Sequence, residues 1–179
     1  PRYHPAIKAS REIYADEGKW EEVISLYGRE VDFIEAPLEK AELLTKMGEV
    51  LEKEIKSDPR ASSCYEQALR LDPNYLNAIK PLSEIYFRHQ KWEKAEPLYL
   101  KWASFSTRED PPDIAAEVVF KQGKVAEGLT KDKEALEFYR KSHAIKPGYL
   151  PAILARSELH IRHGEWRDAI KAEREALTI

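Results

Sequence analysis

A chain of 179 residues, 42% apolar and 34% charged, has the size of one ordinary domain or one short repeat array and the balance of a folded, soluble protein. Its 32 acids and 29 bases give a net charge of -3 and are spread without a long run of one sign, which excludes a general polyanion binder, because that role needs a basic face to neutralise phosphates. The single cysteine, Cys64, excludes an intrachain disulfide and a thiolate metal cage.

No apolar run approaches the roughly 18 residues of a membrane span, and no basic start leads into an apolar signal core. The lone thiol fits a reducing compartment, so the expected location is the cytoplasm. The chain opens at Pro1 and stops at Ile179 within a helical pattern, and it reads as one domain, residues 1–179, cut from a longer protein.

In chain order, the first element recurs. Residues 6–21 read AIKASREIYADEGKWE, and residues 78–93 read AIKPLSEIYFRHQKWE, nine identities in sixteen at an offset of 72. A third copy, AILARSELHIRHGEW at 152–166, follows at an offset of 74 and keeps Ala, Ile, Ser, Glu and Trp in register. Such offsets are near twice 34, so a unit must lie between each pair of copies. YEQALRLDP, ending at Pro73, and FYRKSHAIKP, ending at Pro147, close those intermediate units. Within the first of them Tyr65, Ala68 and Leu69 fall at i, i+3 and i+4, an apolar helical stripe, and Ala135, Leu136, Phe138, Tyr139 and Ser142 repeat the design in the second.

Small residues at Ala61, Ala95, Ala135 and Ala169 allow paired helices to approach closely, while tyrosine and tryptophan fill wider gaps. Trp20, Trp92 and Trp166 recur at one place in the pattern and read as core residues. Pro73 and Pro147 follow helix ends, whereas Pro5, Pro112 and Pro151 stand near helix starts. Pro81 and Pro97 fall about a turn into their helices, which predicts a slight kink or a late helix start. Residues 108–113 form an insert in which Asp110 is the candidate N-cap.

These units resemble tetratricopeptide repeats, helix-turn-helix pairs of 34 residues. Laid on that pattern they run 4–37, 41–75, 76–109, 116–149 and 150–179, with one residue inserted at the inter-helix turn of the second. Val23 stands where the family has alanine, and His160 where it has tyrosine. The resemblance implies an all-α, right-handed superhelical solenoid of antiparallel helix pairs, about five repeats long, with a concave face that holds a protein or peptide. It implies no enzyme activity and no cofactor.

In such solenoids the first helix of each unit lines the groove. The implied groove positions in the front half, Lys8, Glu12, Asp16, Glu42, Thr45, Lys46 and Glu49, are polar and mostly acidic. Those in the back half place Phe87, Phe120, Leu154 and Ile161 among Lys80, Glu84, Arg88, Lys124, Glu158 and Arg162, with Ala155 in the same set. An apolar patch with a charged rim suits an extended or helical peptide with one or two bulky anchors. The competing reading is that the four apolar residues only pack against neighbouring repeats. The carboxylate clamp of some family members is not expected, because Glu12 and Glu49 stand where it needs asparagine. Glu12, Glu49, Glu84 and Glu158 either favour basic peptides or are solvated charges paired with lysines.

No Gly-rich phosphate loop, nucleophile elbow or HExxH motif occurs. His160 and His163 lie three apart with Glu158 nearby, but a packing role and a helix-end role account for them, so no metal site is assigned. Two other readings remain at this stage, a substrate-recruiting region of a larger enzyme and an RNA-binding helical repeat, the latter opposed by the glutamates. Ala169, Ala172, Ala176 and Leu177 mark an uncapped apolar face through which the chain can self-associate.

Overall fold

The computed structural model describes residues 3–105 and 111–179. Among the described residues there are ten α-helices and no strand: α1 (Tyr3–Asp16), α2 (Trp20–Phe33), α3 (Pro37–Lys53), α4 (Asp58–Leu71), α5 (Leu76–Arg88), α6 (Trp92–Phe105), α7 (Pro112–Gly128), α8 (Asp132–Ile145), α9 (Leu150–Arg162) and α10 (Trp166–Leu177). No described helix is long and apolar enough to cross a membrane. Asp110 lies outside the described residues.

One turn design recurs at the end of every odd-numbered helix. Two residues before the next helix the backbone turns left-handed, at Gly18 (φ 69°), Lys56 (φ 60°), Gln90 (φ 53°), Thr130 (φ 60°) and Gly164 (φ 72°). The next N–H then reaches back to close the helix, from Lys19 to the Tyr14 carbonyl (2.8 Å), from Lys91 to Tyr86 (2.9 Å), from Lys131 to Ala126 (2.9 Å) and from Glu165 to His160 (2.9 Å). This is the Schellman closure. In α3 the same bond spans one residue more, Ser57 to Leu51 (2.8 Å), where the sequence carries its insertion. Glycine meets this geometry without strain, and a β-branched residue does not. Thr130→Gly is therefore expected to stabilise the fold by about 1 kcal/mol, read as a higher urea midpoint. A lower midpoint would mean that the Thr130 hydroxyl bond to the Leu129 carbonyl (2.6 Å) outweighs the strain.

Prolines set several starts. Pro37 and Pro112 are the first residues of α3 and α7, where a missing N–H is harmless and a fixed φ suits the helix. Both helices accordingly begin one turn earlier than the repeat pattern places them. Pro81 and Pro97 do not delay their helices, since α5 already starts at Leu76 and α6 at Trp92. The carbonyls that each proline leaves without an N–H partner belong to Asn77 and Glu93, both exposed, so water can take over those bonds.

The chain divides into two compact units, Pro1–Ile85 and Tyr86–Ile179, with the division inside α5. In the first unit α1 packs on α2, α2 on α3 and α3 on α4, each helix touching its neighbour in sequence as a repeat stack requires. Ala41 and Ala61 are fully buried, and Gly48 lets the Tyr65 ring lie flat on α3, since a Cβ there would stand 2.6 Å from Tyr65 Cε1. Tyr65 donates to Glu52 (3.1 Å). Cys64 is buried, and burial pushes its thiol pKa up, with Arg60 opposing.

The second unit repeats the scheme with α6 on α7, α7 on α8, α8 on α9 and α9 on α10. Ala95, Ala135 and Ala169 sit at the close contacts, and Tyr99, Tyr139, Ile153 and Leu159 are fully enclosed. Ser142 donates to the Ala116 carbonyl across the α7–α8 contact (2.7 Å). Two sequence expectations change in this unit. Trp166 is 63% exposed rather than a core residue: it opens α10, which among the described residues packs on α9. Ala169 and Ala172 are buried, so the outward apolar residues of α10 are Trp166, Ile170 and Leu177.

Candidate partner-binding cleft

The candidate site lies within the second unit and grows out of the helix ends just described. Counting four residues back from the start of the following helix gives Arg88 at the end of α5, Gly128 at the end of α7 and Arg162 at the end of α9. Arginine near a helix C-terminus is favoured by the helix dipole. Glycine between the two arginines has a different cause: a Cβ on Gly128 would overlap the indole of Trp92, the first residue of α6. The missing side chain lets the indole lie against the end of α7.

Together with Phe87, Gln90, Lys124 and Glu127, these residues surround an open cleft of about 520 Å³. Phe87 and Trp92 meet edge to face, centroids 5.5 Å apart, and Phe87 also touches the buried Tyr99 ring at 5.9 Å. The aromatic wall is therefore tied into the core rather than carried on a loop.

Glu127 organises the charge. Its Oε2 accepts from the Tyr139 hydroxyl (2.5 Å) and from Lys124 Nζ (3.1 Å), and its Oε1 accepts from Arg162 Nη2 (2.6 Å). Only 13% of its side chain is exposed, against 33% for Lys124 and 54% for Arg162. Burial alone would raise the pKa of this carboxyl, but the hydrogen bonds from Tyr139, Arg162 and Lys124 outweigh it and hold the group below the usual carboxylate range. A carboxyl that binds its proton less tightly when folded stabilises the fold above its unfolded pKa and loses that contribution as pH falls through the folded value. Glu127→Gln is expected to flatten the acid limb of stability between neutral pH and roughly pH 3, checked by urea midpoints at each pH. An unchanged acid limb would remove Glu127 from this role.

Of the groove positions named from sequence, Phe87, Arg88, Lys124 and Arg162 line the cleft. Phe120 is half-buried between the Tyr139 and Tyr149 rings, at 5.7 and 5.8 Å. Leu154 and Ile161 are exposed, at 43% and 41%, and Glu158 is exposed as well, but none of the three lines the cleft. Lys80 and Glu84 belong to the first unit. Ala155 and Thr45 are buried and leave the groove set, Thr45 spending its hydroxyl on the Ala41 carbonyl (2.8 Å). Trp92, Glu127 and Gly128 were not in that set. Gly128 carried a readable signal, a glycine where the register puts arginine before and after it.

The histidines turn to different acids. His160 Nδ1 meets Glu165 (2.5 Å), and His163 Nε2 meets Asp132 (2.7 Å). Glu158, named beside them from sequence, is in neither pair. Ligand atoms of His160, Glu165 and Asp168 lie within 4.8 Å of one another, but Arg140, Arg156 and Lys171 crowd the same small pocket and oppose a cation.

No family model matches the chain, and no curated protein does. Solved structures are similar over nearly its whole length. A crystal structure of MamA shares 20% identity at a TM-score of 0.72, covering 94% of this chain and 92% of that one. A double mutant of MamA from strain RS-1 shares 15% at 0.76, covering 99% and 94%. MamA 41-end from Desulfovibrio magneticus RS-1 shares 14% at 0.74, covering 99% and 95%. With ten helices, sequential packing and this likeness together, the chain has the fold of a tetratricopeptide-type helical solenoid.

Proposed function

We propose that this chain is a non-enzymatic protein-interaction scaffold that engages a peptide segment of its partner at the cleft of the second unit. The observation that carries this is that Phe87 and Trp92, in edge-to-face contact, line one cleft together with Arg88 and Arg162, aromatic and charged groups in the combination expected where one bulky side chain anchors a peptide. The solenoid fold suits such a role, since stacked helix pairs offer extended binding surfaces. The buried thiol of Cys64 fits a reducing, cytoplasmic setting.

Selection of a displayed peptide library on the purified protein, followed by amide and indole NMR shifts on adding the selected peptide, tests this. The expected result is a cluster of shifts at Trp92, Gly128 and Arg162. Selected peptides that move only resonances remote from these residues would assign binding to another surface.

A further inference from the structure

We propose that the second unit carries a further binding site, a slot formed by α6, α7 and α8 that takes one lysine side chain of a partner polypeptide, with the Gln122 amide oxygen as its acceptor. The slot shares no lining residue with the cleft and does not rest on the peptide-binding reading.

α7 packs on both α6 and α8, and residues of all three helices enclose a space of about 60 Å³. α7 supplies its buried side, Gln122, Val125 and Ala126, while Leu100 on α6 and Phe138 on α8 supply apolar walls that are partly open to solvent. At the roughly 10–15 Å³ that one water-sized group needs, about four to six non-hydrogen atoms fit. That is the size of a lysine side chain, and arginine is larger.

Gln122 is the residue that points to a ligand. It is only 7% exposed, and its Nε2 donates to the Tyr99 carbonyl across a long 3.4 Å. A carbonyl can only accept, so this contact fixes the amide with its nitrogen toward Tyr99 and its oxygen turned away. That oxygen accepts no hydrogen bond from any described residue, although an acceptor at such depth is ordinarily satisfied. The charged groups on the slot, Glu96 and Glu134, are acceptors too. Lys131 pairs with Glu96 (2.6 Å) and Lys141 stands over the Phe138 ring (5.4 Å), but neither lysine lines the slot. Glu134 has no hydrogen-bond or ion-pair partner among the described residues, its charge acting on Lys131 from longer range.

A ligand that fits must therefore bring a donor, on a stem apolar enough to lie between Leu100 and Phe138. Lysine does both, with methylenes against the walls and the ammonium on the Gln122 oxygen. A charge is tolerated out of water only where acceptors and counter-charge meet it, and Gln122 with the two carboxylates supplies them. An apolar side chain would leave the Gln122 oxygen unmet, and an acidic one would also face Glu96 and Glu134.

NMR titration of the isotope-labelled chain with capped pentapeptides, lysine, arginine, norleucine or glutamate between alanines, tests the proposal at the Gln122 side-chain amide and the Val125 and Ala126 backbone amides. The lysine peptide is expected to shift these resonances saturably and to bind about tenfold more tightly than norleucine. Gln122→Met keeps the length of the side chain and removes the acceptor, so it is expected to weaken lysine binding about tenfold and leave norleucine unchanged or tighter. Arg174→Gln, exposed on α10, is expected to change neither. Circular dichroism establishes that the variants are folded, and the four-peptide comparison on the unmodified chain does not depend on them. Arginine, norleucine or glutamate binding as tightly as lysine overturns the lysine preference. Lysine binding that survives Gln122→Met unchanged overturns the role of Gln122. No shift at these residues with any peptide leaves the slot to water and overturns the site, while shifts at Trp92 report the cleft separately.

Discussion

Tyr139→Ala is expected to remove about 3–5 kcal/mol from the stability of the second unit, the range for deleting a large buried aromatic. The ring is fully enclosed in a cluster with Ala126, Ala135, Ala152, Ala155 and Leu159 and lies beside Phe120. These neighbours are mostly alanines on three different helices, with little side chain to move into the space, so the void stays largely open and the upper part of the range applies. Tyr139→Phe separates the hydroxyl from the ring. It deletes the donor to Glu127 while Arg162 and Lys124 remain, so the expected loss is smaller, near 1.5 kcal/mol for a bond to a charged group. Urea unfolding followed by circular dichroism, with peptide-resolved hydrogen exchange, reads both. Protection is expected to fall first in α7, α8 and α9, the helices that supply the cluster. If Tyr139→Phe proves as costly as Tyr139→Ala, Tyr139 acts mainly through Glu127, and the packing account of this core is wrong.

The repeat is what made the fold legible. AIKASREIYADEGKWE and its two later copies carry the apolar spacing of a first helix and the turn after it, and α1, α5 and α9 lie over those copies. Buried alanines at one register position follow from the same pattern, since only a small side chain suits the closest approach of two helices. The early starts of α3 and α7 were less visible. Leu38 and Ile114, in the first turns of those helices, are exposed, so the added turn has no buried stripe to betray it and is read only from the proline at its first position. Trp166 departs from the core expectation because register equivalence with Trp92 fixes where a residue sits in its own helix, not what comes to cover it. Trp92 lies against the end of α7 at Gly128, whereas among the described residues Trp166 stays 63% exposed.

The cleft was half legible for a related reason. Helical positions place Phe87, Arg88, Lys124 and Arg162 on first helices, and that survives in the structure. What periodicity does not encode is which side chain is consumed by packing. Phe120 satisfies the same positional rule as Phe87, yet its ring is taken up by Tyr139 and Tyr149. Glu127 was invisible as the charge hub because its role depends on Tyr139 in the next helix, and Tyr139 was visible only as a core residue. A side chain that serves the core through its ring and the site through its hydroxyl appears in a sequence pattern under the first heading alone.

At the helix glycines the sign of the stability change on adding a methyl group tests the packing. In an exposed stretch of helix, Gly→Ala stabilises by about 0.8–1 kcal/mol, because glycine gives up more backbone entropy on folding. Gly28 in α2 meets nothing within 4 Å of an added Cβ, and Gly28→Ala is expected to gain that amount. Gly123 in α7 has the same backbone and the opposite surroundings: an added Cβ would overlap the edge of the Tyr139 ring. That ring cannot retreat, being enclosed by the core and held at its hydroxyl by Glu127. Gly123→Ala is therefore expected to cost about 1–3 kcal/mol despite the better helix former, and Gly48→Ala to do the same through Tyr65 in the first unit. Three urea curves decide it. If Gly123→Ala and Gly48→Ala shift their midpoints upward like Gly28→Ala, the tyrosines are free to move aside. The close approach of α7 to α8 and of α3 to α4 would then not depend on these glycines, and the reason given for their place in the repeat would be lost.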